Sequence, residues 1–240
     1  EHLFTLQYQF IGIEGPILEK KIKWVVNPDP RSLWKNTLSD RSVIYWKADT
    51  DSKLMPTNEN RYILAASQRG RSHAQEGTCR DDDFAMAYLK DLGWYVLAVA
   101  DGAGSAKYSR KGSEIASHEV VRVIAHALKE NETLGEFKLN SLETNISHLD
   151  QAKKNTDETQ IQSLRAKVKT DIYHLLAGAA FKAKKAIEEE GVVRKSHDSI
   201  VELKDYATTL LTLICKKFPF GWFFASFWLG DGAIAIYSES

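Results

Sequence analysis

Trp94-Tyr95-Val96-Leu97-Ala98-Val99-Ala100 runs directly into Asp101-Gly102-Ala103-Gly104-Ser105. A short, continuously apolar run ended by a glycine-rich turn reads as a strand buried on both faces. Beyond the turn, residues 112–128 carry Ile115, Ala116, Val120, Val123, Ile124 and Ala127 at helical spacing. Strand, turn and helix form the seed of the fold. The turn is not a nucleotide loop, because neither GxGxxG nor GK[ST] is present.

Working outward, residues 62–67 and 84–89 have strand character and flank an acidic loop. After the seed helix come a weakly patterned helix over Leu139–Lys154 and a long one over 161–190, for which Gly191 is the expected stop. Residues 207–215, 222–229 and 233–237 then read as strands. The segments 216–221 and Gly230-Asp231-Gly232 are their expected hairpin turns. Strands, then helices, then strands again is an α+β order. Residues 1–60 are irregular: a possible strand over 4–13, a turn at Asn27-Pro28-Asp29-Pro30, and a polar stretch over 36–60. They read as an N-terminal arm wrapping a domain that spans 61–240.

The bulk composition narrows the function classes. With 32 Lys plus Arg against 32 Asp plus Glu, charge gives no reason to expect a nucleic acid or an anionic membrane as partner. The apolar share of 43%, with ten Phe, nine Tyr and six Trp, is enough for a sizeable core. No apolar run approaches the ~20 residues that span a bilayer. Cys79 and Cys215, far apart and outside any zinc spacing, read as reduced thiols in a cytoplasmic protein.

Three acidic features stand out. In Arg80-Asp81-Asp82-Asp83-Phe84, adjacent carboxylates repel one another, and a cation removes that cost. In extended chain, Asp81 and Asp83 share one face and Asp82 takes the other. A solvated acidic loop is the alternative. Asp101, at the C-terminal edge of a buried strand, suits catalysis or ligand binding, with glycines that allow close backbone approach; the alternative is a helix cap. Asp231 sits in Asp-Gly, a common hairpin pair. Carboxylates beside strands, without a thiol or histidine cluster, suit Mg²⁺ or Mn²⁺ rather than zinc.

In motif order, SQRGRSHAQEGTCRDDDFA, WYVLAVADGAGSA, a long helical insert, DYATTLLTLI and SFWLGDGAIAIY resemble the metal-dependent serine/threonine protein phosphatases of type 2C. The likeness is closest to the bacterial branch with Ala-Asp-Gly-Ala-Gly-Ser, and it covers about residues 62–237. It implies a layered α-β-β-α sandwich of antiparallel sheets flanked by helices, and two or three Mg²⁺ or Mn²⁺ ions. It also implies in-line attack of an activated water on phosphoserine or phosphothreonine, with no covalent intermediate. Carried over, Asp82 is the metal-ligand Asp of the first motif when Phe84 is the anchor, with Asp81 in the preceding acidic place. Anchoring on Cys79 shifts that role to Asp81. Asp101 would bridge two metals, Gly102 would offer its carbonyl, and Asp231 would lie near a third.

The pattern also departs from the family's. Ala103 stands where many members carry a His, and Gly77 where the phosphate-gripping Arg sits, leaving Arg80, Arg71 or His73 as substitutes. The family has further acidic ligands near its C-terminus, and no Asp follows Asp231. The reading therefore expects the natural chain to continue past Ser240 and the sandwich to be incomplete here. A phosphorylated protein is the expected substrate, and a serine/threonine kinase an expected partner. The alternative is a pseudophosphatase that binds a phosphoprotein or kinase without turnover.

Overall fold

In a computed structural model of the chain, residues 2–12, 15–26, 29, 33–58, 60–130, 139–197 and 199–237 are described. The seed strand is the centre of the fold. β5 (Asp83–Leu89), β6 (Trp94–Ala100), β7 (Leu210–Phe218) and β8 (Gly221–Leu229) form one antiparallel sheet in that order. Earlier in the chain, β1 (His2–Tyr8) pairs with β2 (Leu18–Trp24), and β3 (Thr50–Pro56) with β4 (Tyr62–Gln68). The helices are α1 (Arg71–Glu76), α2 (Ser109–Glu130), α3 (Leu139–Lys154) and α4 (Glu158–Lys195). The fold is α+β, as the element order implied.

Alternation along β6 explains the layers. Trp94, Val96, Ala98 and Ala100 point to one face and pack with Val120, Ile124 and Leu128 of α2 and Leu175, Leu176 and Ala179 of α4. Tyr95 points to the other face, where it meets Ile63 of β4, Met86 and Cys215. Helices therefore cover one side of the sheet and the β3–β4 hairpin covers part of the other. Val99, near the end of β6, is 52% exposed, so the second face of the seed strand is covered only in part. Beyond the hairpin, Leu54, Tyr62 and Leu64 face solvent among the described residues. The β3–β4 hairpin straddles position 60.

Four local expectations are corrected. Gly191 does not stop α4: it stays helical and lies beside the Tyr206 ring, and the helix runs on to Lys195, with Ser196 as its C-cap. Residues 233–237 form no strand. The chain leaves the sheet at Gly230, whose φ is +112°, and crosses close over β7, where a Cβ on Gly232 would come within 2.6 Å of Leu211 Cδ1. Gly230-Asp231-Gly232 is therefore an exit bend rather than a hairpin turn. The strand read at 4–13 ends at Tyr8 and forms a hairpin with β2. Of the turn at Asn27-Pro28-Asp29-Pro30, only Asp29 is among the described residues.

Candidate metal centre

The site follows from register. In the β5–β6 ladder Asp83 faces Ala100. One step further out, past the strand ends, Asp82 meets Asp101. The two residues line one groove, and Asp82 is pushed up to about 6 by burial first, then by the Asp101 carboxyl, with Asp81 adding to the effect and Arg80 opposing it. A carboxyl held up in this way by burial and a neighbouring acid is relieved by a divalent cation between the two.

The neighbouring acids alternate, as extended chain requires. Asp83 is buried on the opposite side, where Lys47 Nζ is 2.6 Å from its Oδ2 and His118 Nε2 is 3.8 Å from its Oδ1. Burial resists ionisation there, but His118 and Lys47 outweigh it and hold Asp83 well below the usual carboxylate range. Asp81 is also buried. Its Oδ1 accepts no hydrogen bond, with Arg110 Nη1 3.6 Å away, and its Oδ2 is 3.7 Å from His73 Nε2.

Asp101 is held through its backbone. Its amide donates to Thr209 Oγ1 at 3.0 Å, and its carbonyl accepts from the Thr209 amide at 2.8 Å and from Thr208 Oγ1 at 2.9 Å. Gly102 bridges to Thr208, and Ala103 N donates to Ala207 O at 3.0 Å. Ala207, Thr208 and Thr209 thus hold the first three residues of the Asp-Gly-Ala-Gly-Ser turn. Gly102 has no room for a side chain: a Cβ would lie 2.6 Å from Asp81 O and 3.0 Å from Ser109. That contact joins the turn to the acidic run.

The other expected site residues are used elsewhere. Arg80 is buried and committed: Nη1 donates to Asp82 O at 2.9 Å, Nε to Ala48 O at 3.3 Å, and Nη2 is 3.6 Å from Asp51 Oδ2. Arg71 stacks on Trp34, its guanidinium carbon 3.2 Å from the ring centroid. His73 Nδ1 hydrogen-bonds Thr78 Oγ1 at 2.7 Å. Arg71 and His73 are not brought to the Asp82–Asp101 pair, whereas Arg80 reaches it through the Asp82 carbonyl, and its charge opposes the rise in the Asp82 pKa. Asp231 is exposed in the exit bend after β8, at the same end of the sheet, since Gly230 packs on Thr209.

Among the described residues, no three His, Cys, Asp or Glu side chains converge as a ligand group. The donor set is two carboxylates. It fits a hard cation that keeps several waters, as Mg²⁺ does, and does not fit tetrahedral zinc. Beside the pair lies an open groove of about 490 Å³, lined by Ser67, Gln68, Phe84, Met86, Leu97 and Val99.

Sequence reasoning missed Lys47, Arg110, Ser113 and the roles of Thr208 and Thr209. The two threonines lie within a quoted motif, so they carried a signal. Lys47 lies in a polar stretch without periodicity and carried none.

No helix among the described residues is long and apolar enough to cross a membrane. No curated protein and no solved structure matches the sequence. The family profile for Protein phosphatase 2C matches residues 69–240, a span that holds the acidic run, the Asp101 turn and the Thr208–Thr209 segment. With the greater part of its length matched and both arms of its carboxylate pair inside the match, the chain belongs to the protein phosphatase 2C family, whose general activity is the hydrolysis of phosphoproteins.

Proposed function

We propose that the chain is a metal-dependent phosphoserine/phosphothreonine phosphatase that uses Mg²⁺ or Mn²⁺ at the Asp82–Asp101 pair. The observation that carries this reading is the meeting of the two carboxyls one register step beyond β5 and β6. When bound, such a cation lowers the pKa of its water and offsets charge on the phosphoryl oxygens. Asp82 and Asp101 supply the anionic ligands. Thr208 and Thr209 fix the Asp101 main chain, and Gly102 allows the acidic run to approach the turn. The groove next to the pair would receive a phosphorylated segment of a protein substrate, and a serine/threonine kinase is the natural source of that substrate. Two buried, unbonded thiols are in keeping with a cytoplasmic setting.

Hydrolysis of a phosphothreonine peptide and of p-nitrophenyl phosphate tests the reading. The wild type is expected to turn over both in Mn²⁺, and Asp101→Asn to lose at least ~100-fold, as for loss of a group stabilising transition-state charge. Equal rates for the two proteins would sink it. One observation favours a second reading, a phosphoprotein-binding module without turnover: only two carboxylates converge among the described residues. Phosphopeptide binding by calorimetry, with no heat from Mn²⁺ or Mg²⁺, would select that reading instead.

A further inference from the structure

Lys47 lies outside the segment matched by the phosphatase family, yet it reaches the centre of the acidic run. Its side chain is only 8% exposed. A lysine ammonium has three donors, and here each finds an acceptor. Nζ is 2.6 Å from Asp83 Oδ2, 3.1 Å from Ser113 Oγ and 3.4 Å from Asp82 O. Ser113 Oγ in turn donates to Asp81 O. One cation therefore touches Asp82 and Asp83 directly and Asp81 through one hydroxyl.

The segment around Lys47 is itself tied down. Ala48 O accepts from Arg80 Nε at 3.3 Å, and Asp49 Oδ2 is 3.1 Å from Arg69 Nη2. The Asp82 carbonyl thus receives donors from both Lys47 and Arg80. Donors on the Asp82 carbonyl fix the backbone torsions that set where its side chain points, and that side chain lies beside Asp101.

We propose that Lys47 is a positioning residue of the metal centre, which makes residues 36–58 a working part of the phosphatase site rather than an appendage. The proposal rests on the metal-dependent reading above. Lys47 makes no contact with the Asp82–Asp101 carboxyl pair and acts through the Asp82 main chain and through Asp83.

Calorimetric Mn²⁺ titration and thermal unfolding of the wild type, Lys47→Met and Lys47→Met/Asp83→Asn test it. The double variant removes the buried ion pair without leaving either charge unpaired, and Asn keeps an Oδ1 to accept from Phe84 N as Asp83 does. The expected result is a double variant that unfolds cooperatively and binds Mn²⁺ roughly 10- to 100-fold more weakly than the wild type, the range seen when groups supporting a metal ligand are lost. Wild-type affinity in the double variant would overturn the proposal, since Lys47 would then serve only to neutralise Asp83. A wild type that binds no Mn²⁺ would overturn the metal-dependent reading itself, and the positioning role with it.

Discussion

At the scale of single residues, the site is governed by close approach and by buried charge. Gly102 and Gly112 are both needed for room. A side chain at Gly102 would strike Asp81 O, and one at Gly112 would strike the backbone of Tyr206. His118 shows the charge side. Its side chain is 62% exposed, but its Nε2 faces Asp83 Oδ1. The Asp83 carboxylate 3.8 Å away raises its pKa above the ordinary value, with Glu114 adding to the effect and burial and Lys47 opposing it. A raised folded-state pKa means that protonated His118 stabilises the fold fully below its unfolded pKa of about 6.5. That contribution is lost as pH rises through the higher folded value. The stability difference between wild type and His118→Gln, followed by urea unfolding across this range, is therefore expected to be largest on the acid side and to fade above it. The exposure of the ring keeps the effect small. A difference that does not change with pH would remove His118 from the Asp83 network.

At the scale of elements, α4 carries the helical layer. Its 38 residues run past α2 and α3, and Asp157 caps its start by accepting from Gln160 N. Leu175 is fully buried in the core that α4 shares with α2 and the sheet, whereas Tyr173, two residues earlier, is 66% exposed. Leu175→Ala should cost about 2–5 kcal/mol and Tyr173→Ala within about 0.5 kcal/mol, read from denaturant midpoints. Equal costs would mean that the helix does not bury this face. Periodicity made α2, α4 and β5 legible in the sequence, because each buries one repeating face, and β6 was legible as a continuous apolar run. Gly191 was misread because a helical stop depends on what packs beside the glycine, and here Tyr206 does. Residues 233–237 alternate like a strand but cross over β7 instead, a choice set by tertiary contact. At the site, Asp82 and Asp101 were legible as acids at strand ends. Their meeting depended on the β5–β6 register, and Lys47, Arg110 and Ser113 reach the acidic run only through long-range packing.

At the scale of the whole molecule, residues 1–60 are not one arm. β1 and β2 pair only with each other, and all their residues are exposed, with Leu3, Phe4, Ile22 and Trp24 on the surface. An isolated two-stranded hairpin adds little stability of its own. Residues 33–58 are different. Thr37 N donates to Ala74 O at 2.8 Å, Tyr45 Oη donates to Glu190 Oε1 at 2.6 Å, Lys47 pairs with Asp83, and β3 adds Met55 to the cluster beneath β4. Deletion of residues 1–26 is therefore expected to leave the unfolding free energy within about 0.5 kcal/mol of the full chain, as for surface changes in general. Deletion of residues 1–49 removes Lys47 and leaves Asp83 buried without its cation, which alone costs about 3–5 kcal/mol. Urea unfolding of the two truncations separates the cases. Equal losses would show that the segment around Lys47 contributes no more than the exposed hairpin, while a loss confined to the longer deletion places the boundary of the folded unit between Trp24 and Lys47, upstream of the segment matched by the family.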